Sequence, residues 1–175
     1  MSASEPVAVR VAFKGPLFRV EVQTWGDRRR DVVRHPGACG AVVLIEGDRV
    51  LLVRQLREAV GRALLEIPAG VRDVPGESAE QTVRREILEE TGHLVARIKP
   101  LGGILTTPGF SDERIELFLA WAGPGAPAPV AEAGVETVTV RFDEAVRMVS
   151  AGEIEDAKTC VGLLLARDAR RGQER

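Results

Sequence analysis

Three glutamates with helical spacing are the residues of this 175-residue sequence best suited to chemistry. Glu86, Glu89 and Glu90 stand at positions i, i+3 and i+4, which places their carboxylates on one face of a helix. Like charges at this spacing repel each other, and a hard divalent cation bound by oxygen ligands removes the repulsion. Arg85 precedes Glu89 by four residues and can hold that carboxylate in position. The pattern predicts a divalent-cation site, with Mg²⁺ as the expected ion and Mn²⁺ as the alternative.

The glutamates need a helix with defined ends to position them. Ser78 is the expected N-cap, and Gln81 completes a capping-box pattern. Gly92 stands where a helix end favours a left-handed residue. An apolar face recurs every four residues and consists of Ala79, Val83 and Ile87. We therefore predict a helix over about 78 to 91, preceded by a loop that contains proline and glycine over 70 to 77.

This loop and helix resemble the signature of the Nudix hydrolases, Gly-x5-Glu-x7-Arg-Glu-U-x-Glu-Glu-x-Gly-U, where U is a bulky aliphatic residue. The matching residues are Gly70, Glu77, Arg85, Glu86, Ile87, Glu89, Glu90 and Gly92. The sequence departs from the signature in two places, since six residues separate Gly70 from Glu77 and His93 replaces the last aliphatic residue. The resemblance implies hydrolysis of a nucleoside diphosphate linked to another group. An ordinary capped surface helix with charged pairs is the alternative.

Four further segments resemble the ADP-ribose pyrophosphatase subgroup of this family, namely 54–57, 65–70, 108–113 and 156–159. This resemblance implies that the carbonyl of Ala69 and the carboxylates of Glu86 and Glu90 bind the metal. Glu89 is a candidate both for metal binding and for catalysis, and Arg85 is the candidate that orients the carboxylates.

The same resemblance assigns residues to the substrate. Arg57 would contact its phosphates or ribose, and Thr107 and Gly109 would line the side of the terminal ribose. Members of the subgroup are dimers with exchanged N-terminal strands, so a homodimer is expected here. Arg29 and Asp31 would then reach the neighbouring active site.

Glu113 is the candidate general base. Hydrolysis needs a group that takes a proton from the attacking water, and metal would occupy the helix carboxylates. Glu113 lies in a loop that contains proline and glycine between two strands, and such loops can close over a substrate. The resemblance also places a catalytic glutamate in this loop. The alternative is that Glu113 only pairs with Arg114 or with solvent.

Strand and helix patterns around the signature predict an α/β/α sandwich with a mixed sheet and a catalytic loop–helix–loop, and the resemblance implies the same Nudix-type fold. We expect an N-terminal β segment over 1–34 that serves as a dimerisation element, and a hydrolase domain over 35–175. Gly26 and Asp27 are expected to form a turn, and the basic run 28–30 after it is either a solvated turn or a segment that binds substrate phosphate. We expect 123–129 to be a linker or surface loop. We expect strand, loop and strand over 96–106, a short helix that Asp143 caps and that ends at Ser150, and a longer amphipathic helix over 156–170. The expected strands are 7–13, 17–25, 39–46, 50–57, 64–67, 115–121 and 136–142.

Composition excludes several other classes of protein. A formal net charge of −2 gives no basic footprint for nucleic acid. Two cysteines provide neither a disulfide framework nor a cysteine-based zinc site. The sequence shows no apolar run long enough for a membrane span and no signal-peptide pattern at its start. We expect a cytoplasmic protein without nucleic-acid or membrane partners.

The function that these observations favour is metal-dependent hydrolysis of ADP-ribose to AMP and ribose 5-phosphate. One alternative is a Nudix hydrolase that acts on another nucleoside diphosphate derivative, such as a nucleotide sugar or a dinucleotide. A second is a sensor that binds ADP-ribose without cleaving it. The three intact helix glutamates favour the enzymes over the sensor.

Overall fold

The computed structural model describes residues 5–123, 128 and 134–172. The chain divides into two compact units. The first consists of Met1–Gly37 with Leu105–Arg114, and the second of Ala38–Ile104 with Ile115–Arg175. The segment that carries Glu113 therefore belongs to the same unit as the N-terminal strands. Most of the loop expected over 123–129 lies outside the described residues.

The first unit contains a three-stranded antiparallel sheet in the order β1-β2-β3. Its strands are β1 (Ala8–Lys14), β2 (Arg19–Trp25) and β3 (Arg28–Arg34). The turn expected at Gly26 and Asp27 is confirmed. Of the two interpretations of 28–30, the solvated turn is wrong, because β3 begins at Arg28. A two-residue turn at Gly26 and Asp27, with Gly26 at φ 63°, pairs Trp25 directly with Arg28 and brings the arginines into the ladder.

The second unit contains a seven-stranded sheet. Its order is β10-β5-β4-β9-β8, with β6 beside β5 and β7 beside β4. The sheet is mixed, because β4 is parallel to β9 and antiparallel to β5 and β7. The strands are β4 (Ala38–Ile45), β5 (Arg49–Arg57), β6 (Arg62–Glu66), β7 (Ala69–Val71), β8 (Val95–Leu105), β9 (Arg114–Ala122) and β10 (Val135–Arg141).

Strand β8 runs without interruption, so the expected break within 96–106 was wrong. Pro100 and Gly102 are the residues of β8 that disfavour a continuous strand. The strand tolerates Pro100 because β8 ends the strand order of the sheet, where a missing N–H costs little. Gly102 adopts a φ of 122° that other residues rarely adopt.

Helices cover both faces of the central strand β4. On one face, α1 (Ala79–Thr91) packs through Val83 and Ile87 against Cys39, Ala41 and Val43. On the other face, α2 (Phe142–Ala151) and α3 (Ala157–Arg171) bury a second apolar cluster. Because alternate residues of β4 point to opposite faces, this continuous apolar strand fills both cores. The expected α/β/α sandwich is confirmed.

The two C-terminal helices begin differently. Asp156, expected as the first residue of the last helix, is the N-cap of α3, since its carboxylate accepts from the N–H of Thr159. Asp143 does not cap α2, because that helix begins one residue earlier, at Phe142, after Arg141 as N-cap. The N–H of Phe142 donates to the carbonyl of Asp48 at 3.0 Å, which takes the place of a side-chain cap. No helix among the described residues is long and apolar enough to cross a membrane.

Candidate active site

Both ends of helix α1 are fixed as the sequence predicts. Ser78 Oγ accepts from the N–H of Gln81 at 3.3 Å, and the N–H of Ser78 donates to Gln81 Oε1 at 2.8 Å. Gly92 ends the helix at φ 70°, and its N–H donates to the carbonyl of Leu88. With Val83 and Ile87 fully buried beneath it, the helix holds its carboxylates in one fixed rotation.

Arg85 is the centre of a carboxylate cluster. Its Nη1 donates to Glu86 Oε1 at 2.6 Å and to Glu89 Oε2 at 3.1 Å. Its Nε and Nη2 donate to the two oxygens of Glu77 at 3.3 and 3.2 Å. The bonds to Glu77 and the charge of Glu86 raise the pKa of Arg85. The hydrogen bonds from Arg85 in turn lower the pKa of Glu77. The guanidinium of Arg85 therefore holds three carboxylates. One of them belongs to Glu89, as the sequence predicts.

Glu86 and Glu90 reach the backbone of strand β7. The N–H of Ala69 donates to Glu90 Oε2 at 3.0 Å. The carboxyl group of Glu86 lies against the Cα of Gly70, so close that a Cβ there would be 2.0 Å from Glu86 Cδ. Glu86 is 9% exposed and Glu90 only 3%. The structure thus brings Ala69, Glu86 and Glu90 together and leaves Glu89 on the more exposed side of the helix, with Arg85.

The donors at this point suit a hard divalent cation. Two carboxylates meet backbone atoms at Ala69 and Gly70, and Mg²⁺ takes one or two carboxylates and completes its shell with waters and substrate phosphates. Among the described residues, no three His, Cys, Asp or Glu side chains are grouped so that they alone could hold a metal ion. The site fits an ion that has protein, water and phosphate oxygens together as its ligands.

Arg57 lies on β5 in the same unit and is half-buried. Its Nε and Nη2 each donate to a different oxygen of Glu66 at 2.8 Å. Glu66 also accepts from Lys158. The sequence reasoning missed Glu66 and Lys158 as site residues, although a glutamate inside the apolar run 64–67 was an available signal.

The first unit holds Glu113 by several contacts. Thr106 Oγ1 donates to Glu113 Oε2 at 2.8 Å, and His35 Nδ1 lies 3.7 Å from Glu113 Oε1. Arg34 and the backbone N–H of His35 bind the neighbouring Asp112 at 3.0 and 2.9 Å. Glu113 is therefore an anchored side chain rather than one that meets only solvent.

The other predicted substrate residues also belong to the first unit. The carbonyl of Thr107 accepts from the N–H groups of Phe110 and Ser111, and Gly109 is exposed within this turn. Arg29 and Asp31 form an exposed ion pair at 3.6 Å on β3. Their roles toward substrate stay predictions.

One protein family matches the chain over most of its length. The NUDIX domain model covers residues 34–160, which is most of the chain and includes the whole Arg85 cluster. The chain belongs to the NUDIX family. It is a hydrolase of that family, and the resemblance stated from the signature is confirmed.

Relatives of this NUDIX hydrolase include pyrophosphatases that are named for two different substrates. An ADP-ribose pyrophosphatase from Bacillus subtilis (strain 168) is 32% identical over 82% of this chain and 79% of its own. An ADP-ribose pyrophosphatase from Mycobacterium tuberculosis is 35% identical over 91% of this chain and 81% of its own. A GDP-mannose pyrophosphatase from Enterobacter sp. (strain 638) is 30% identical over 75% of this chain and 77% of its own.

A solved structure supports the fold of this NUDIX hydrolase. The crystal structure of an ADP compounds hydrolase matches with a TM-score of 0.79, over 99% of this chain and 98% of the other. The two chains are 21% identical, so this likeness concerns the fold alone.

Proposed function

We propose that this NUDIX hydrolase splits ADP-ribose into AMP and ribose 5-phosphate with Mg²⁺ as its metal ion and Mn²⁺ as an alternative. The observation that carries the proposal is the contact of Glu86 and Glu90 with the Ala69–Gly70 backbone. The two carboxylates are buried, and Gly70 has no side chain that would displace them. Such an arrangement suits an ion bound to a pyrophosphate. The names of the Bacillus and Mycobacterium relatives support ADP-ribose as the substrate.

In this proposal Glu86, Glu90 and the carbonyl of Ala69 hold the metal, with Glu89 as a further ligand. The bound ion would neutralise the pyrophosphate and lower the pKa of the attacking water. Arg85 keeps the glutamates in place, because its guanidinium bonds Glu86 and Glu89 while Glu77 fixes the guanidinium itself.

The remaining residues act on the substrate and on the proton. Arg57 binds a phosphate or the ribose, and Thr107 and Gly109 line the terminal ribose. Water oxygen attacks one phosphorus atom, the bond from that phosphorus to the bridging oxygen breaks, and Glu113 takes the proton of the water. The contact with Thr106 supports this role, because it anchors Oε2 of Glu113 and so sets the direction of Oε1.

A product assay tests the proposal. Incubation with ADP-ribose and Mg²⁺ is followed by chromatography, with AMP and ribose 5-phosphate as the expected products and no turnover after chelation of the metal. Glu90→Gln should lower kcat about a hundredfold or more while the protein stays folded, because an amide oxygen can still accept from Ala69 and the lost charge repelled its neighbours. Turnover by Glu90→Gln near that of the wild type would remove Glu90 from the site.

A second candidate function is hydrolysis of a nucleotide sugar. The name of the GDP-mannose pyrophosphatase that is 30% identical supports it, since a metal ion bound to a pyrophosphate does not by itself distinguish one diphosphate from another. Binding of ADP-ribose without any phosphate products would instead favour the sensor.

We further propose a cytoplasmic homodimer in which the N-terminal β segment forms the interface. The support is strand β1, which is exposed along its whole length and ends the order of its sheet. Arg29 and Asp31 on β3 would contribute to the partner's active site.

A further inference from the structure

Four charged residues around the buried Glu66 join three elements of the hydrolase unit. Glu66, on β6, has a side chain only 1% exposed and is bound by two cations. Arg57 on β5 donates from Nε to Oε1 and from Nη2 to Oε2, both at 2.8 Å, and Lys158 on α3 donates to Oε2. Lys158 also lies 3.0 Å from Asp156 Oδ1. We call these four residues the Glu66 network.

Stability alone gives no reason for this arrangement. Removing charges from water costs free energy, which a buried ion pair often does no more than recover. Burial acts to raise the pKa of Glu66, but the bonds from Arg57 and the charge of Lys158 outweigh it and lower that pKa. Glu66 is therefore ionised, and its two oxygens are matched to a bidentate guanidinium.

The network also fixes the backbone that leads to the metal-binding residues. Thr159 Oγ1 accepts from the N–H of Ile67 at 2.9 Å and donates to Asp156 Oδ2. The first turn of α3 thus binds Glu66 through Lys158 and Ile67 through Thr159. Ala69, whose N–H contacts Glu90, follows two residues after Ile67.

Arg57 is the member of the network that can reach a ligand. Its side chain is 39% exposed, whereas that of Lys158 is 11% exposed. Nη1 of Arg57 has no hydrogen-bond partner among the described residues, since its bonds to Glu66 use Nε and Nη2. One edge of the guanidinium is therefore locked and the other is able to donate to a phosphate.

We propose that Glu66 and Lys158 are positioning residues that orient Arg57 for binding a phosphate of the substrate. This inference rests on the proposed function, in which Arg57 binds the substrate. Lys158 holds Oε2 of Glu66 in place, and Glu66 in turn fixes the plane of the guanidinium. Neither residue contacts the reacting atoms.

A double-mutant cycle with Arg57 tests the proposal. In the wild-type background, Lys158→Met and Glu66→Gln should each raise KM for ADP-ribose about tenfold, with kcat within about threefold, because one charge-assisted hydrogen bond is misdirected. In an Arg57→Ala background the same substitutions should change kcat/KM less than about twofold, because nothing remains to be positioned. Lys158→Arg should restore most of the loss.

Thermal unfolding of every variant separates positioning from general loss of structure. A merely structural role would lower kcat/KM by the same factor in both backgrounds, and that result would overturn the proposal. An unchanged KM in Lys158→Met would overturn it as well. If Glu66→Gln fails to fold, the effects of Lys158→Met in the wild-type and Arg57→Ala backgrounds decide the question.

Arg62→Met provides the matched control. Arg62 joins the same strand to Glu155, just before α3, but both side chains are more than half exposed. The KM of Arg62→Met for ADP-ribose should equal that of the wild type. Should the wild type prefer another nucleoside diphosphate, the cycle is measured with that substrate, so failure of the proposed substrate and failure of the positioning role give different results.

Discussion

The carboxyl group of Glu86 occupies the space that a side chain at residue 70 would need. A Cβ on Gly70 would lie 2.0 Å from Glu86 Cδ and 2.3 and 2.4 Å from its two oxygens. These atoms are the far end of a flexible side chain, so a larger residue at position 70 would displace Glu86 and leave the strand in place. The glycine is needed for the position of a carboxylate and less for the fold.

Gly70→Ala should therefore damage activity more than stability. We expect kcat to fall about tenfold to a hundredfold and the Mg²⁺ concentration for half-maximal rate to rise, because Glu86 leaves its place. The melting temperature should change by no more than a few degrees. Gly172→Ala is the control, since a Cβ there meets nothing closer than 3.7 Å. Full activity of Gly70→Ala would mean that Glu86 is not a metal ligand.

Glu113→Gln tests the general base. The amide can still accept from Thr106, so the loop should keep its conformation, but the group can no longer take a proton from water. We expect kcat to fall by about 10²–10⁴ with little change in KM or in the Mg²⁺ requirement. Steady-state kinetics measure both parameters.

Glu153→Gln, at an exposed position after α2, provides the control for that substitution and should behave as the wild type. An unchanged kcat in Glu113→Gln would reject its role and direct attention to Glu89.

The catalytic helix was predictable because its signals are local. The capping box, the four-residue apolar period and Gly92 all lie within one short segment. The ion pair between Arg85 and Glu89 follows from helical spacing. The apolar strand β4 was predictable for the same reason, since burial on both faces leaves a continuous hydrophobic run.

Contacts between distant parts of the chain could not be predicted in this way. Lys158 and Glu66 are 92 residues apart, and nothing near either residue indicates the other. The start of α2 at Phe142 depends on the carbonyl of Asp48, so the local pattern pointed to Asp143 instead. The position of Glu86 against Gly70 likewise requires a strand and a helix to meet.

Stability in acid should depend on Glu21 in the first unit. A hydrogen bond from Arg34 at 2.8 Å is the main cause that lowers the pKa of this buried glutamate from 4.5 to about 2. A carboxyl group whose pKa is lower in the folded state stabilises that state above its unfolded pKa. This contribution should disappear as the pH falls from 4.5 toward 2.

Thermal unfolding at several pH values from about 5 to about 3 measures this effect. The melting temperature of the wild type should fall more steeply than that of Glu21→Gln, which lacks the titrating group. Glu153→Gln should follow the wild type. Parallel curves for wild type and Glu21→Gln would contradict the assignment.

The exposed apolar residues of β1 predict self-association. Val9, Val11 and Phe13 stand at alternate positions and are 51%, 51% and 52% exposed. Light scattering at micromolar concentration should give twice the chain mass of 18.9 kDa. Val9→Lys with Val11→Lys should reduce this to the monomer mass, whereas Leu94→Lys, at a 71% exposed position of the other unit, should not. A fully active wild-type monomer would exclude the dimer.

The measurement that tests the central claim most directly is a comparison of kcat/KM for ADP-ribose, GDP-mannose and a dinucleotide under saturating Mg²⁺. The account predicts the highest kcat/KM for ADP-ribose, by about tenfold or more, which corresponds to roughly 1.4 kcal/mol of additional transition-state binding. A higher kcat/KM for GDP-mannose or for the dinucleotide would contradict the proposed substrate.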